Sequence, residues 1–419
     1  MKLVHAADLH IDSPLSGLER YEGAPLEAMR LATRAALKNL VELCLEQAAE
    51  LLLLAGDLFD DDWRDYSSGL FFASELARLR EVGTKVVWIR GNHDALSKVT
   101  RQLKLPGDVH ELSPRRPETL VFEELGVAVH GQGFAKAAMT EDLTRNYPAP
   151  LAGLFNVGLL HTSVDGREGH ARYAPCRLET LVNHGYDYWA LGHVHRREVL
   201  HREPWVVFPG NLQGRQIRET GAKGATLVSL EAGRVAQVEP VALDVVRWER
   251  CEVDATGCQT PDDVLGLVRG ELEQALTRAE GRLVAARVVV SGASRAHSAL
   301  ARDAERWVNE IRAAALDVAS GGLWLEQVRL GTSSAIGLDA LATHDDAVSD
   351  LVRAFVELRS RDDALGELVP ELSDLRQKLP LELRRGADGF DLDHPESLRA
   401  LLDEVEQLVL PRLLSLEEP

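Results

Sequence analysis

Five short stretches of the 419-residue chain set oxygen and nitrogen donors directly after apolar runs. They are Asp8-Leu9-His10 after "KLVHAA", Gly56-Asp57 after "ELLLLA", Gly91-Asn92-His93-Asp94 after "KVVWIR", His161 in "NVGLLHT", and Gly192-His193-Val194-His195 in "YWALGHVH". Carboxylates, an amide and imidazoles can hold a divalent cation or move a proton. The set has no thiolate, so it suits Mn²⁺, Fe or Zn²⁺ better than a Cys-rich structural zinc site. Each stretch also has an ordinary reading. Gly and Asn are common turn residues, and a lone Asp-X-His is a frequent surface accident. His193 and His195 are two residues apart, which would put both imidazoles on one side of a strand. The glycines allow tight turns and close approach of backbone to a phosphate. All five stretches together, in this order, are hard to produce by chance.

Polar groups so distant in the chain share a cleft only if the runs before them lie side by side. The three apolar runs ending at Ala7, Ala55 and Arg90 read as buried strands. Residues 25–50 carry helical spacing, with Leu37, Leu40, Val41 and Leu45 on one face, and residues 66–82 read as a second helix. Strands alternating with such helices indicate βαβ units, and in such sheets sites form at the C-terminal ends of strands. From about Glu118 the pattern changes to short strands, among them "TLVFEEL", "VAVHGQG", "WVVFPGN" and "ATLVSLEAGRVAQVEP". The expected fold class is α/β, a β-sandwich flanked by helices.

Near Leu243 the character shifts again. "VVRWERCEVD", "RLVAARVVVSG" and "LWLEQVRLG" read as strands separated by helices over 261–280 and 299–315. The remainder reads as helical, interrupted by Pro370, Pro380 and Pro395. The expected organisation is a site-bearing domain over 1–245, a small α+β capping domain over 246–335 and a helical C-terminal region over 336–419.

The formal net charge of −19 argues against a protein that coats nucleic acid by charge alone. Residues 341–419 hold 19 acidic and 9 basic side chains, whereas residues 1–245 hold 33 and 27, nearly balanced. A local basic patch is therefore compatible with the first segment only. The four cysteines form no CxxC pair, which suits a reducing cytosol. Asp8 and His10 sit where a secretion signal would need apolar residues, so none is expected. No apolar run approaches the roughly 20 residues of a membrane span. A cytoplasmic location is the expectation.

The motif set DLH, GDLFD, GNHD, the His of "LLHTS" and GHVH resembles the signature of calcineurin-like metallophosphoesterases, across roughly residues 1–230. "AADLHIDSPL" and "FPGNLQGRQIRETGAKG" are similar to the DNA-repair exonuclease branch, the YhaO/SbcD/Mre11-like nuclease subunits, with the YhaO type nearest. The resemblance implies two divalent metal ions, Mn²⁺ first and Fe or Zn²⁺ as alternatives. It assigns Asp8, His10 and His195 to one metal, Asn92, His161 and His193 to the other, and Asp57 as a bridge. His93 would act as acid or electrostatic clamp, oriented by Asp94. Two such cations would clamp a phosphodiester for in-line attack. Arg215 and Arg218 are candidates for phosphate contacts, against the plainer reading of a solvated strand end.

The implied function is a two-metal DNA phosphodiesterase, exonuclease or endonuclease, working with an SbcC/Rad50/YhaN-like ATPase bound through the C-terminal helices. The stripe Leu398, Leu401, Leu402, Val405 and Leu408 is the expected docking face, with packing on the chain's own core as the plainer reading. A homodimer stays open. The alternatives are a phosphodiesterase for small nucleotides or other phosphate esters, and a non-catalytic scaffold stabilised by its metals. One departure stands out. The resembling nucleases carry a histidine where this chain has Asp60, which puts their efficient exonuclease step in doubt here. Asp61 and Asp62 read as a solvated acidic turn, and His5 as a packing residue of the first strand.

Overall fold

The computed structural model describes residues 1–13, 23–60, 66–96, 105, 107–166, 173–319, 321–335, 347–361, 364–365, 370, 372, 378 and 395–414. Asp61, Asp62, Pro380 and the 336–346 segment lie outside the described residues. Contacts divide the chain into two compact units, Met1–Glu249 with Leu276–Ala286 and Arg250–Ala275 with Arg287–Pro419.

The first unit contains strands β1 (Lys2–Ala6), β2 (Leu51–Leu54), β3 (Lys85–Trp88), β4 (Val109–Glu111), β5 (Glu118–Phe122), β6 (Val127–Gly131), β7 (Phe155–His161), β8 (Tyr188–Gly192), β9 (Glu198–Arg202), β10 (Trp205–Phe208), β11 (Gly224–Glu231) and β12 (Arg234–Ala242). They form two six-stranded sheets, ordered β12-β11-β1-β2-β3-β4 and β5-β6-β7-β8-β10-β9. The run Leu51–Leu54 shows why such strands are apolar throughout. Leu51 and Leu53 face a core shared with Val129, Val157, Leu159 and Tyr188 of the other sheet. Leu52 and Leu54 face Leu37, Leu40 and Val41 of helix Leu26–Glu46, with Phe72 and Leu76 of helix Tyr66–Arg78. Both faces are buried, so no polar alternation survives. The outer face of the second sheet is covered by Phe134, Tyr147 and Leu181, packed on Leu160, Trp189 and Phe208. The layers are thus helix, sheet, sheet and helix-plus-loop, the expected sandwich.

Register places the site. β1, β2 and β3 are parallel, pairing Ala6 with Leu54 and Leu54 with Trp88, so their C-terminal ends are level. β7 and β8 are also parallel, pairing His161 with Gly192. The expected helix over 66–82 divides into an α-helix to Arg78 and a 3-10 turn over Leu79–Val82, closed by Gly83 at φ 76°. β4 and β9 were not anticipated, because three residues and a half-exposed run carry no clear apolar signal. His193 and His195 do not lie on a strand as expected. β8 ends at Gly192, and both imidazoles belong to the loop beyond it.

A three-stranded sheet follows, β13 (Val246–Asp254), β14 (Leu283–Ser294) and β15 (Leu323–Ser334), in that order. Helix Pro261–Ala279 lies between β13 and β14 in the chain. The helix expected over 299–315 is two, His297–Arg302 and Ala304–Ala319, because Asp303 leaves the helical region at φ −134°.

In the second unit, helix Pro395–Leu414 packs against His297–Arg302 and Ala347–Ser360. Pro395 opens this helix and does not interrupt it. A proline's missing N–H costs nothing at a first helical position. Leu398 and Leu402 are buried with Val348, Val352, Phe355 and Leu365, and Leu401 packs at the edge of that cluster. Most of the described stripe is therefore spent on the unit's own core, while Val405 is exposed. The side chain of Leu408 lies outside the described residues. Among the described residues, no helix is long and apolar enough to cross a membrane.

Candidate metal centre

The five polar strand ends meet. Asp8 and His10 leave β1, Asp57 leaves β2, Asn92 leaves β3, His161 closes β7, and His193 and His195 follow β8. The first two loops are stitched together by Asp8 N–H to Gly56 O (3.0 Å), His10 N–H to Asp57 O (3.1 Å) and Ile11 N–H to Leu58 O (2.9 Å). Asp8, His10, Asp57 and His193 all have left-handed backbone, at φ 52°, 43°, 54° and 100°. Each costs about 1–3 kcal/mol for a non-glycine residue, and such strain persists where surrounding structure enforces it. Two glycines are required by space. A Cβ on Gly91 would strike the Asp57 carboxylate, and one on Gly192 would strike Ala55 O.

Among the described residues, three groups of ligand atoms result, each within 4.8 Å: Asp8, His10 and His195; Asp57, His161 and His193; and His10, Asp60 and His93. The first two contain the residues expected to hold metal. Asn92 Oδ1 lies 3.0 Å from His161 Nε2, which brings the amide to the second group. The structure thus brings together all seven residues expected to hold metal. Three imidazoles have Nδ1 tied to an acceptor. His10 Nδ1 donates to Asp60 Oδ1 (2.5 Å), His195 Nδ1 to Glu219 Oε1 (2.7 Å) and His161 Nδ1 to Ala55 O (2.8 Å). In the neutral ring, that leaves the lone pair on Nε2. His10 Nε2 and His195 Nε2 then face each other at 3.3 Å, and His161 Nε2 faces Asp57 Oδ2 at 3.4 Å. Ligand imidazoles in metal sites are held in this manner. The mixed oxygen and imidazole donors, buried together, fit divalent cations.

Protonation follows the same geometry. Burial works against the charge of Asp57, but His161, then His10 and His93, hold its carboxyl well below the usual range. Burial alone would lower His161, yet the Asp57 and Asp8 carboxylates push it up to about 9. A cation among the same atoms would replace that proton. Burial, then the Arg215 charge, pushes His10 down from its ordinary value. Burial opposes the charge of Glu219, but its hydrogen bond to His195 and the nearby Arg215 hold it down at about 2.

His93 differs from the buried ligands. Its side chain is 35% exposed, whereas that of His161 is 0% exposed. Its backbone N–H donates to Asp57 Oδ1 (2.9 Å), and its ring lies 5.1 Å from that of His10. It is more open to an incoming substrate than His10, His161 or His195.

Asp94, expected to orient His93, has backbone partners. Its carboxylate accepts backbone N–H groups of Leu58 (3.0 Å), Phe59 (3.1 Å) and Gly91 (3.0 Å), clamping the loop after β2 to the turn after β3. Burial, then the Asp57 charge, pushes its carboxyl up. Asp60 Oδ1 lies 3.8 Å from His93 Nδ1.

Asp60, the departure from the nuclease pattern, accepts from His10, and its Oδ2 lies 3.5 Å from Arg215 Nη1. Arg215 also reaches Ser13 Oγ (3.1 Å) and Glu219 Oε1 (3.6 Å). Its charge is engaged by two carboxylates, which weakens its expected part as a phosphate contact. Arg218 is exposed on the neighbouring turn. Glu219 was not singled out from sequence. It lies within "RQIRET", where no ligand spacing marks it. His5 is buried, with ring nitrogens 3.0 Å from Tyr188 Oη and 3.1 Å from Leu191 O, a packing residue as expected.

The family profile described as calcineurin-like phosphoesterase matches residues 1–197. That described as metallophosphoesterase YhaO, middle domain, matches residues 248–333. The chain is 35% identical over 296 residues to the uncharacterized metallophosphoesterase YhaO of Bacillus subtilis, covering 70% of this chain and 72% of that protein. It is 30% identical over 282 residues to the DNA double-strand break repair protein Mre11 of Methanopyrus kandleri, covering 60% of this chain and 58% of that one. For Mre11 of Sulfurisphaera tokodaii the identity is 23% over 257 residues, covering 58% and 63%.

Proposed function

Because the chain belongs to the calcineurin-like metallophosphoesterases, in their YhaO/Mre11-like branch, we propose that this phosphoester hydrolase cleaves DNA phosphodiesters with two divalent cations. Asp8, His10 and His195 would hold one cation, and Asn92, His161 and His193 the other, with Asp57 between them. The observation that carries this reading is the set of three imidazoles whose Nδ1 atoms are tied off, while Nε2 of His10 and of His195 face each other and Nε2 of His161 faces Asp57 and Asn92. When bound, the cations polarise the phosphate and activate water for in-line attack; Mn²⁺ suits the mixed donors, with Fe or Zn²⁺ as alternatives.

The chain's own residues supply the rest. His93, exposed beside the buried ligands, donates a proton to the departing alkoxide or offsets its charge. Asp94 fixes the turn that carries Asn92 and His93. DNA is brought in by the Mre11 relatives, whose names state double-strand break repair. An SbcC/Rad50/YhaN-like ATPase is the proposed partner, bound in the 336–419 region. The stripe at Leu398 and Leu402 is occupied, so docking would use the outer faces where Val356 and Val405 are exposed. The proposed domain limits stay 1–245, 246–335 and 336–419.

One observation favours the rival reading of a small phosphodiester substrate: Arg215, a candidate backbone clamp, is held by Asp60 and Glu219. A Mn²⁺-dependent cleavage assay separates the two, using linear duplex DNA, single strands and a chromogenic phosphodiester. Cleavage of duplex and chromogenic substrate supports the DNA reading. Cleavage of the chromogenic substrate alone supports the rival, and cleavage of none sinks both.

A further inference from the structure

Five side chains from four loops close a ring around the first ligand group. His10 Nδ1 donates to Asp60 Oδ1 at 2.5 Å. Asp60 Oδ2 lies 3.5 Å from Arg215 Nη1, and Arg215 Nη2 lies 3.6 Å from Glu219 Oε1. Glu219 Oε1 accepts from His195 Nδ1 at 2.7 Å, and the two Nε2 atoms close the ring at 3.3 Å. We propose that Arg215 is a positioning residue: it braces Asp60 and Glu219 so that they hold His10 and His195 in register for one cation and not the other. The proposal rests on the two-metal reading above.

The geometry of each member supports a bracing function. Glu219 is fixed at both oxygens. Oε2 accepts Arg215 N–H (2.8 Å) and Asn211 Nδ2 (3.0 Å), which leaves Oε1 for His195. Asp60 has no comparable backbone anchor among its described hydrogen bonds; Ser13, His10 and Arg215 hold it. Arg215 is the only cation within ion-pair distance of both carboxylates among the described residues. Its side chain is 17% exposed, and those of Asp60 and Glu219 are 15% and 6% exposed. Removing a cation from two such carboxylates leaves poorly compensated charge, which relaxes by rotating toward solvent or toward the other ligands. Either movement turns an imidazole away from its partner. The second ligand group has a different support. His161 Nδ1 is held by the Ala55 carbonyl, a rigid backbone acceptor that does not depend on Arg215. Loss of a carboxylate support behind a ligand histidine typically weakens metal binding about 10–100-fold. The asymmetry predicts that the loss falls on one cation.

The test is calorimetric titration of the full metal-free chain with Mn²⁺, paired with metal analysis and thermal melting. Arg215→Met keeps the length of the side chain and removes its charge. It should weaken one of two binding events about tenfold or more and leave the other within about twofold. Arg215→Lys keeps the charge without the fork and should recover part of the loss. Asp60→Asn and Glu219→Gln should couple in the wild-type background and become additive in Arg215→Met. Unchanged binding with a raised KM for DNA would make Arg215 a substrate contact and overturn the proposal. Equal weakening of both events with a lowered melting temperature would also overturn it, as a general structural role. A wild-type chain that shows fewer than two binding events removes the two-metal reading, and the bracing proposal with it. Two wild-type events unaffected by any of the four variants remove the bracing proposal alone.

Discussion

His161 Nε2 and Asp57 Oδ2 lie 3.4 Å apart, both fully buried, and Nδ1 of the same imidazole donates to Ala55 O at 2.8 Å. The pair is an ion pair when His161 carries a proton. Its imidazole is pushed up from 6.5 to about 9 against the effect of burial. A raised pKa contributes stability that is fully present below the unfolded value and is lost as pH rises through the folded one. In EDTA, the melting temperature should therefore fall between about pH 6.5 and pH 9. With Mn²⁺ present the fall should be smaller or reversed, because metal binding displaces that proton. His161→Gln should flatten the EDTA curve. A wild-type curve in EDTA that is flat across this range would contradict the pairing.

His93→Ala should lower kcat about 10²–10⁴-fold, the usual contribution of a general acid. Metal analysis of the same variant should still find two equivalents, because His93 belongs to neither of the two groups proposed to hold the cations, although it forms a third close group with His10 and Asp60. A metal-free variant would make His93 a ligand or a structural residue. Asp57→Ala, by contrast, should lose both metals. Retention of one at full occupancy would remove the bridging role.

Asp94→Ala should destabilise the first unit by about 3 kcal/mol or more, since it leaves buried N–H groups of Leu58, Phe59 and Gly91 without their acceptor. Denaturant melting measures this. Because the clamp fixes the turn carrying Asn92 and His93, kcat should fall as well. Full stability with reduced activity would instead favour the direct pairing with His93 expected from the GNHD motif.

The legible part of this molecule is the part governed by strand ends. Runs such as Leu51–Leu54 are apolar on both faces because helices and a second sheet cover them. The polar residues after them therefore stand out, and parallel register brings them level. Asp60 and Glu219 were not legible as supports. They act on His10 and His195 across 50 and 24 residues of chain, through loop geometry that no spacing encodes. Asp94 was legible as a functional carboxylate, but its partners are backbone N–H groups, which carry no sequence signature. The stripe at Leu398 and Leu402 was legible as a stripe, while its occupant was not. An apolar helix face looks the same whether it meets a partner or a neighbouring helix of its own chain.

That ambiguity yields the last prediction. Leu402 is buried against Val352 and Phe355, whereas Val405 is 39% exposed on the same helix. Arg359 ties the two helices by pairing with Asp403 and with Glu406 Oε2 (2.9 Å). Leu402→Ala should destabilise the helix pair by about 2–5 kcal/mol, the cost of an emptied leucine site. Val405→Glu should leave melting unchanged, because the new charge stays in water. If the outer face docks the ATPase, Val405→Glu should abolish co-purification with it while leaving cleavage of a chromogenic phosphodiester intact. If Val405→Glu binds normally, and Leu402→Ala melts normally but fails to bind, the stripe itself is the docking surface and its packing in the free chain is displaced on binding.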